Sequence, residues 1–572
     1  MKSTILSRRD LDFLLYEWLD VEKLTALDRF TEHSRETFDG VLDLCEQLAT
    51  RYFAPHNKLS DANEPTFDGQ TVTLIPDVKE AWDAFAAADL LAMGFDDELG
   101  GAQLPVTVAQ AAFAWIAAAN VSTSGYLMLT IANANLVAHF GTPEQIETFV
   151  KPMLAGRFSG TMALSETQAG SSLADITTRA EPQADGTYRL FGSKMWISGA
   201  EHELTENIVN LVLAKIPGGP AGTKGISLFI VPKFLADGTR NGVAISGLNH
   251  KMGQRGITNT VLNFDGAVGY LVGEPHRGIV YMFRMMNEAR LGVGMGAVAL
   301  GYTGYLKSLE YARERPQGRP LGVKDPSTPQ VPIVEHADVK RMLLAQKAYV
   351  EGGLALLLYC AKLIDSDAAG DSSVLDILTP VAKSWPSQWC VEANSLAIQV
   401  HGGYGYTREY DVEQHYRDNR LNPIHEGTHG IQSLDLLGRK VTQNGGASLA
   451  ALGERVAKTV SAGAEAAPDL AAQLDTAWQR LVAVTGAMFA SGDVEAAMAN
   501  SAVYLEAFGH IVVAWIWLEQ VLAAHGRIGD FYDGKRQAAQ YFFRYELPKT
   551  APQLDLLESM DRTTLEMRDS WF

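Results

Sequence analysis

The residues whose types and spacing offer the most chemistry lie at 399–440. They comprise a glycine-rich turn (HGGYGYT), a segment laced with Arg, Asp and Glu, and one carboxylate, Glu426, ahead of Gly427-Thr428. A carboxylate fixed at a turn is a candidate general base, because proton abstraction from carbon needs a base held within reach of one face of the substrate. The Gly-Thr step after it reads as the start of a new helix. The same residues, His425 to His429, also spell HExxH, the zinc-hydrolase pattern. That chemistry needs both histidines one turn apart on a continuous helix, with the Glu beside a metal-bound water. Pro423 just before and Gly427 inside favour a turn or helix start instead, so no metal is assigned.

Three further stretches carry candidate binding residues. MALSETQAGSSLADITTRA (162–180) is a Ser/Gly-rich turn whose amides and hydroxyls leave room for a close ligand edge. KMWIS (194–198) puts Trp196 and Ser198 on a strand, an aromatic face and a hydroxyl suited to a flat heterocycle. The run GVGMG (292–296) looks like part of a dinucleotide fingerprint, but that motif requires a strand before it inside a βαβ unit. It sits in a helical, alanine-rich region and reads as close helix packing. The hydrolase signature GxSxG is absent.

Helices and strands must position these groups. Apolar residues at three-and-four spacing predict helices through 10–158, including one capped by Thr142 with Pro143 at its first position. From 159 to 276 the pattern becomes short β-rich runs between turn residues, which predicts an antiparallel sheet or small barrel, not βαβ units. Helices return over 277–441, broken by a Pro-containing loop and the glycine-rich turn. A flexible QNGGAS stretch leads into a last helical, alanine-rich part, 442–572. The fold class expected is mainly α with a middle β domain.

Composition narrows the function. Lys plus Arg number 48 against 67 Asp plus Glu in 572 residues, a net charge of −19. Such a chain repels nucleic acid and anionic membrane except at a local basic site. The three cysteines, Cys45, Cys360 and Cys390, lack metal or disulfide spacing and read as free thiols of a reducing compartment. The amino terminus is charged where a signal peptide needs an apolar core, and the apolar run at 511–518 is too short to span a bilayer. The cytoplasm is the expected location, with no membrane partner.

With these motifs in view, GGYGYTREY followed by HEGT and GRK resembles the C-terminal core of the flavin-dependent acyl-CoA dehydrogenases, and the order helix, sheet, helix is that family's layout. The resemblance covers about residues 85–440. The length and the C-terminal extension resemble a large subgroup that includes the 3-methylmercaptopropionyl-CoA dehydrogenases. It implies an N-terminal helical domain, a barrel-like middle domain, a four-helix bundle and an added helical domain. It also implies FAD as cofactor and α,β-dehydrogenation of an acyl-CoA, of short or medium chain or 3-methylmercaptopropionyl-CoA, with Glu426 as the base and a backbone amide near it as donor to the thioester oxygen.

By position, Leu164, Ser165, Gly170, Ser171, Trp196, Ile197 and Ser198 would meet the flavin, with Ser171 also toward the CoA portion. Arg315, Gln317, Gln399, Val400, His401, Gly402 and Gly403 would reach the flavin of a neighbouring subunit, and Thr428 its phosphate or ribose. Asn287, Arg290, Glu426 and Gly427 would meet substrate. Thr167-Gln168 and Gln317-Gly318-Arg319 depart from the family's usual Pro-Gly and Phe-Gly. A homodimer or higher homo-oligomer and an electron-transfer flavoprotein are the implied partners. An acyl-CoA oxidase using oxygen, and a flavin-bearing nucleic-acid-associated protein of the same superfamily, are the alternatives; Glu426 and the net acidity count against the second.

Overall fold

Between residues 158 and 271 the β-branched and aromatic runs become strands β1 (Phe158–Ala163), β2 (Arg179–Pro182), β3 (Tyr188–Ser198), β4 (Asn207–Lys215), β5 (Ile226–Pro232), β6 (Val243–Leu248) and β7 (Asn259–Leu271). The computed structural model that shows this describes residues 3–572, with the backbone alone at 284 and 286–288. The sheet order is β1-β4-β2-β3-β7-β5, with β6 on β7 and a further β4–β5 pairing, so β4, β2, β3, β7 and β5 form a closed ring. The expected barrel is therefore present, but it is not wholly antiparallel. β1 runs parallel to β4, with Phe158 opposite Asn207 and Ala163 opposite Val212. The segment between them, which includes β2 and β3, is long enough to serve as the crossover that a parallel pair needs.

β4 and β5 are apolar along nearly their whole length because both of their faces are covered. Val209, Leu211 and Leu213 join a core that includes Ala134 and Val137 of helix α1 (Val121–Phe140). Val212 and Ala214 point the other way, to Leu190, Phe229 and Phe264 inside the barrel. Asn133 of α1 ties the two layers, its Nδ2 donating to the carbonyls of Thr161 (2.9 Å) and Val209 (2.8 Å). These elements belong to one compact unit, residues 32–105 and 112–292.

The second unit comprises the chain up to Thr31, Val106–Ala111 and Val293–Phe572. Its main helices are α2 (Gly278–Glu314, from residue 293), α3 (Ala337–Asp365), α4 (Asp371–His401), α5 (Val412–Asn419), α6 (His429–Asp435), α7 (Ser501–Ala523) and α8 (Asp530–Tyr541). The GVGMG run lies within α2, as close helix packing predicts. A Cβ on Gly294 would fall 2.2 Å from the Ala382 carbonyl oxygen, and one on Gly304 would fall 2.5 Å from Asn394 Nδ2, so α2 and α4 meet almost backbone to backbone. α4 stays continuous through Pro380 and Pro386.

The apolar run at 511–518 is embedded in the 23-residue α7, which is long and apolar enough to cross a bilayer. It packs into the unit instead, with Phe508, Trp515, Trp517 and Leu518 buried. A buried ionic cluster ties it to its neighbours. Lys535 Nζ on α8 lies 2.5 Å from Asp10 Oδ1 and 2.9 Å from Glu351 Oε2, and donates to Gln520 Oε1 at 3.0 Å. Lys347 pairs with Glu351, and the Tyr302 hydroxyl donates to Asp10 at 2.9 Å.

Candidate active site

On the barrel unit, the Ser/Gly-rich turn is built around Glu166, a residue the sequence motif includes but whose role it does not reveal. Glu166 is buried, and its two carboxylate oxygens accept from Lys194 Nζ (3.0 Å), Gln168 Nε2 (2.8 Å) and both the amides and hydroxyls of Thr177 and Thr178 (2.6–2.9 Å). Burial alone would raise its pKa; the Lys194 charge and these donors outweigh that and hold it at about 2. Lys194 is wholly buried, and burial lowers its ammonium to about 8 despite Glu166. It also donates to the Leu164 carbonyl at 2.8 Å, while the Met195 amide donates to the Ser165 carbonyl at 2.9 Å. Leu164 and Ser165 are thereby stitched to the strand that carries Trp196.

That strand departs from regular geometry where the aromatic sits. Between Lys194, opposite Leu262, and Ile197, opposite Thr260, β3 holds two residues against one on β7, a β-bulge. Trp196 occupies it with φ of 66°. A bulky residue in the left-handed region is strained, and such strain clusters at ligand sites. The bulge leaves the indole 61% exposed, while Ile197 is buried and Ser198 Oγ accepts from Asn259 Nδ2 at 3.0 Å. An exposed aromatic on a pinned strand, beside two tethered residues of the Ser/Gly turn, fits a flat heterocycle such as a flavin ring. Gly170 and Ser171 are exposed beyond the Glu166–Ala169 bridge. Arg290 is buried on α2, and the side chain of Asn287 lies outside the described residues.

On the helical unit, Glu426 has φ of +53° and Gly427 +85°, so the chain turns at the carboxylate and cannot continue as helix. Thr428 follows as the N-cap of α6, its Oγ1 accepting from the Ile431 amide at 3.2 Å. The turn expected from Pro423 and Gly427 is what forms. The two histidines of HExxH consequently share no continuous helix. His425 Nε2 pairs with Asn422 Oδ1 (3.0 Å) and His429 Nδ1 with Ser384 Oγ (2.6 Å). Burial, with the Lys383 charge adding, lowers His425 to about 3 and His429 to about 4, so both are neutral at ordinary pH. Among the described residues no three His, Cys, Asp or Glu groups converge as a metal cage would require.

Sequence reasoning missed the groups that hold this turn. Lys383, wholly buried on α4, donates to the carbonyls of Asn422 (2.8 Å) and Gly427 (2.7 Å). Gln432 of α6 donates to the carbonyl of Glu426 itself at 3.0 Å. A lysine inside an otherwise apolar helical run was the one signal available.

The glycine-rich turn closes α4 on the same unit. His401 is buried, donates from Nδ1 to the Ala397 carbonyl (2.8 Å) and stacks on Tyr311 with ring centroids 4.3 Å apart. Val400 is buried beside it; Gln399, Gly402 and Gly403 are exposed, with Gly402 at φ of +61°. Arg315, also exposed, has its guanidinium 5.6 Å from the Tyr404 ring centroid, which brings two of the predicted cofactor segments together. Gln317 is exposed, its carbonyl bonded to His336 Nε2 at 2.7 Å.

Comparison with known proteins gives the class to which this fold belongs. Family models described as acyl-CoA dehydrogenase N-terminal, middle and C-terminal domains match residues 39–157, 161–267 and 276–441, and one described as acetyl-CoA dehydrogenase C-terminal like matches 452–568. The 3-methylmercaptopropionyl-CoA dehydrogenase of Ruegeria pomeroyi is 35% identical over 559 residues, 93% of this chain and 94% of that protein. The broad-specificity linear acyl-CoA dehydrogenase FadE5 of Mycobacterium tuberculosis is 34% identical over 99% of each. The Caenorhabditis elegans ACDH-11 structure in complex with C11-CoA shares the fold at a TM-score of 0.77 and 18% identity, covering 96% of this chain and 91% of that one. The chain belongs to the acyl-CoA dehydrogenase family and, with it, is an FAD-dependent oxidoreductase.

Proposed function

We propose that the protein converts a saturated acyl-CoA to the trans-2-enoyl-CoA, with Glu426 taking the proton from the carbon α to the thioester. FAD, when bound, supplies the acceptor for the hydride that leaves the β carbon. The observation that carries the assignment is the turn at Glu426: a non-glycine residue in the left-handed region, whose main chain is held by side-chain donors to its own carbonyl and to that of Gly427. An α C–H is a weak acid, so its removal demands such a fixed base. A backbone amide beside Glu426 would stabilise charge developing on the thioester oxygen. Trp196, Ile197, Ser198, Leu164 and Ser165 would bind the flavin on one chain, with Gly170 and Ser171 at its edge and Thr428 toward its phosphate or ribose. The exposure of Arg315, Gln317, Gln399, Gly402 and Gly403 on their own chain is consistent with a second subunit's flavin as their target. The acyl group would be short to medium, 3-methylmercaptopropionyl included, and the electrons would pass to an electron-transfer flavoprotein. Cys45, Cys360 and Cys390 are buried free thiols, and the location proposed is the cytoplasm.

Anaerobic titration with acyl-CoAs of increasing length, thioether chains included, while following oxidised-flavin absorbance tests this reading. One class of thioester should bleach the wild-type flavin rapidly, and Glu426→Gln should slow that step by about 10²–10⁴-fold. A flavin that no acyl-CoA reduces would sink the assignment.

A further inference from the structure

The carbonyls around Glu426 are served by two side chains from two helices. Lys383 Nζ reaches Asn422 O and Gly427 O, on either side of the base, and Gln432 Nε2 reaches the carbonyl of Glu426 between them. Both donors are fully buried. Gly427 makes this reach feasible, since a Cβ there would sit 2.6 Å from Gln432 Nε2. The cost of such a construction asks for a reason. A non-glycine residue in the left-handed region is unfavourable by about 1–3 kcal/mol, and it persists only where its surroundings over-determine it. A buried ammonium is costlier still than an apolar side chain of the same length. Holding an ordinary surface turn would require neither.

We infer that Lys383 and Gln432 are positioning residues for the base: together they clamp the turn from Asn422 to Gly427 and so set the direction in which the Glu426 carboxylate points. The inference rests on Glu426 being the base. Lys383 touches no reacting atom in this account; it acts on the main chain at the base, from a helix that is itself locked against α2 through Gly294 and Gly304. Removal of either donor lets the turn relax. A displacement of about 1 Å in a catalytic group lowers the rate roughly 10²-fold while leaving binding determinants in place.

The test uses the full-length flavoprotein and four forms: wild type, Lys383→Met, Gln432→Met and Glu426→Gln. Flavin content and thermal melting are recorded for each, then the anaerobic flavin-reduction rate against the concentration of the acyl-CoA that best reduces wild type. In Lys383→Met and Gln432→Met the limiting rate should fall by roughly 10²-fold, with the half-saturating concentration changed less than about threefold. Amide hydrogen exchange in residues 422–432 should rise in both, with or without acyl-CoA. A flavin-loaded Gln432→Met enzyme that reduces at the wild-type rate overturns the clamp, and does so even if Lys383→Met fails to fold. Loss confined to half-saturation, with the limiting rate intact, overturns it equally. A wild-type rate in Glu426→Gln is a separate result: it removes the base assignment itself.

Discussion

Lys194 Nζ lies 3.0 Å from Glu166 Oε1, and both side chains are buried. One side of this pair holds the Leu164 carbonyl and the other gathers Thr177 and Thr178, so a single ion pair fixes the Ser/Gly-rich turn against β3. Breaking a buried pair by removing one partner leaves a charge without its counter-ion, which destabilises by about 3–5 kcal/mol. Glu166→Gln should lose that much in denaturant melts. The pH dependence follows from the carboxyl being held at about 2 against its ordinary 4.5. A lowered folded-state value means that the contribution is complete above about 4.5 and drains away as pH falls toward 2. Urea melts from pH 6 down to 2.5 should show a steeper loss in wild type than in Glu166→Gln. Parallel curves would mean that Glu166 is not the group responsible.

Trp196 offers a prediction in which stability and cofactor retention move in opposite directions. Its φ of 66° is strained for any side chain and free for glycine, and the exposed indole contributes little burial. Trp196→Gly should therefore leave the flavin-free protein as stable or more stable, by up to about 1 kcal/mol. The same change removes the proposed aromatic platform, so flavin should dissociate more readily. Melting of the flavin-free forms and equilibrium titration with FAD give both numbers. A variant that keeps wild-type affinity would remove Trp196 from the site.

How far the sequence went depends on how local each determinant is. The turn at Glu426 was legible because Pro423, Gly427 and Thr428 act within a few residues. The glycines of α2 were legible as packing for the same reason. The bulge at Trp196 was not, since it is a relation between β3 and β7, set by a register that no single strand carries. The parallel β1–β4 pair was hidden likewise behind the long segment that connects the two strands. Lys383 escaped because its acceptors lie 39 and 44 residues further on, and a lone lysine between Pro380 and Pro386 carries no spacing rule. Local backbone chemistry was readable; the Lys383 ammonium arriving from another helix, and the turning back of Gln432 onto the Glu426 carbonyl six residues before it, were not.

The cluster at Lys535 predicts how the last helices are held to the rest of their unit. Its ammonium serves Asp10 from the N-terminal helix Arg8–Asp12 and Glu351 from α3, with Gln520 of α7 as a third acceptor. Burial raises the carboxyl of Asp10 even so, while Lys347 and Lys535 overcome burial at Glu351 and lower it. Lys535→Met strips one cation from two buried carboxylates and should destabilise the unit by about 3–5 kcal/mol. Adding Asp10→Asn removes one of the carboxylates left behind, so the double variant should recover part of that loss. The coupling is read from a double-mutant cycle in denaturant melts, with a flavin-absorbance probe beside far-UV dichroism. If the two single losses simply add, the pair is not coupled. If the barrel and the helical unit melt together in wild type but separately in Lys535→Met, the cluster is what the helical unit lost.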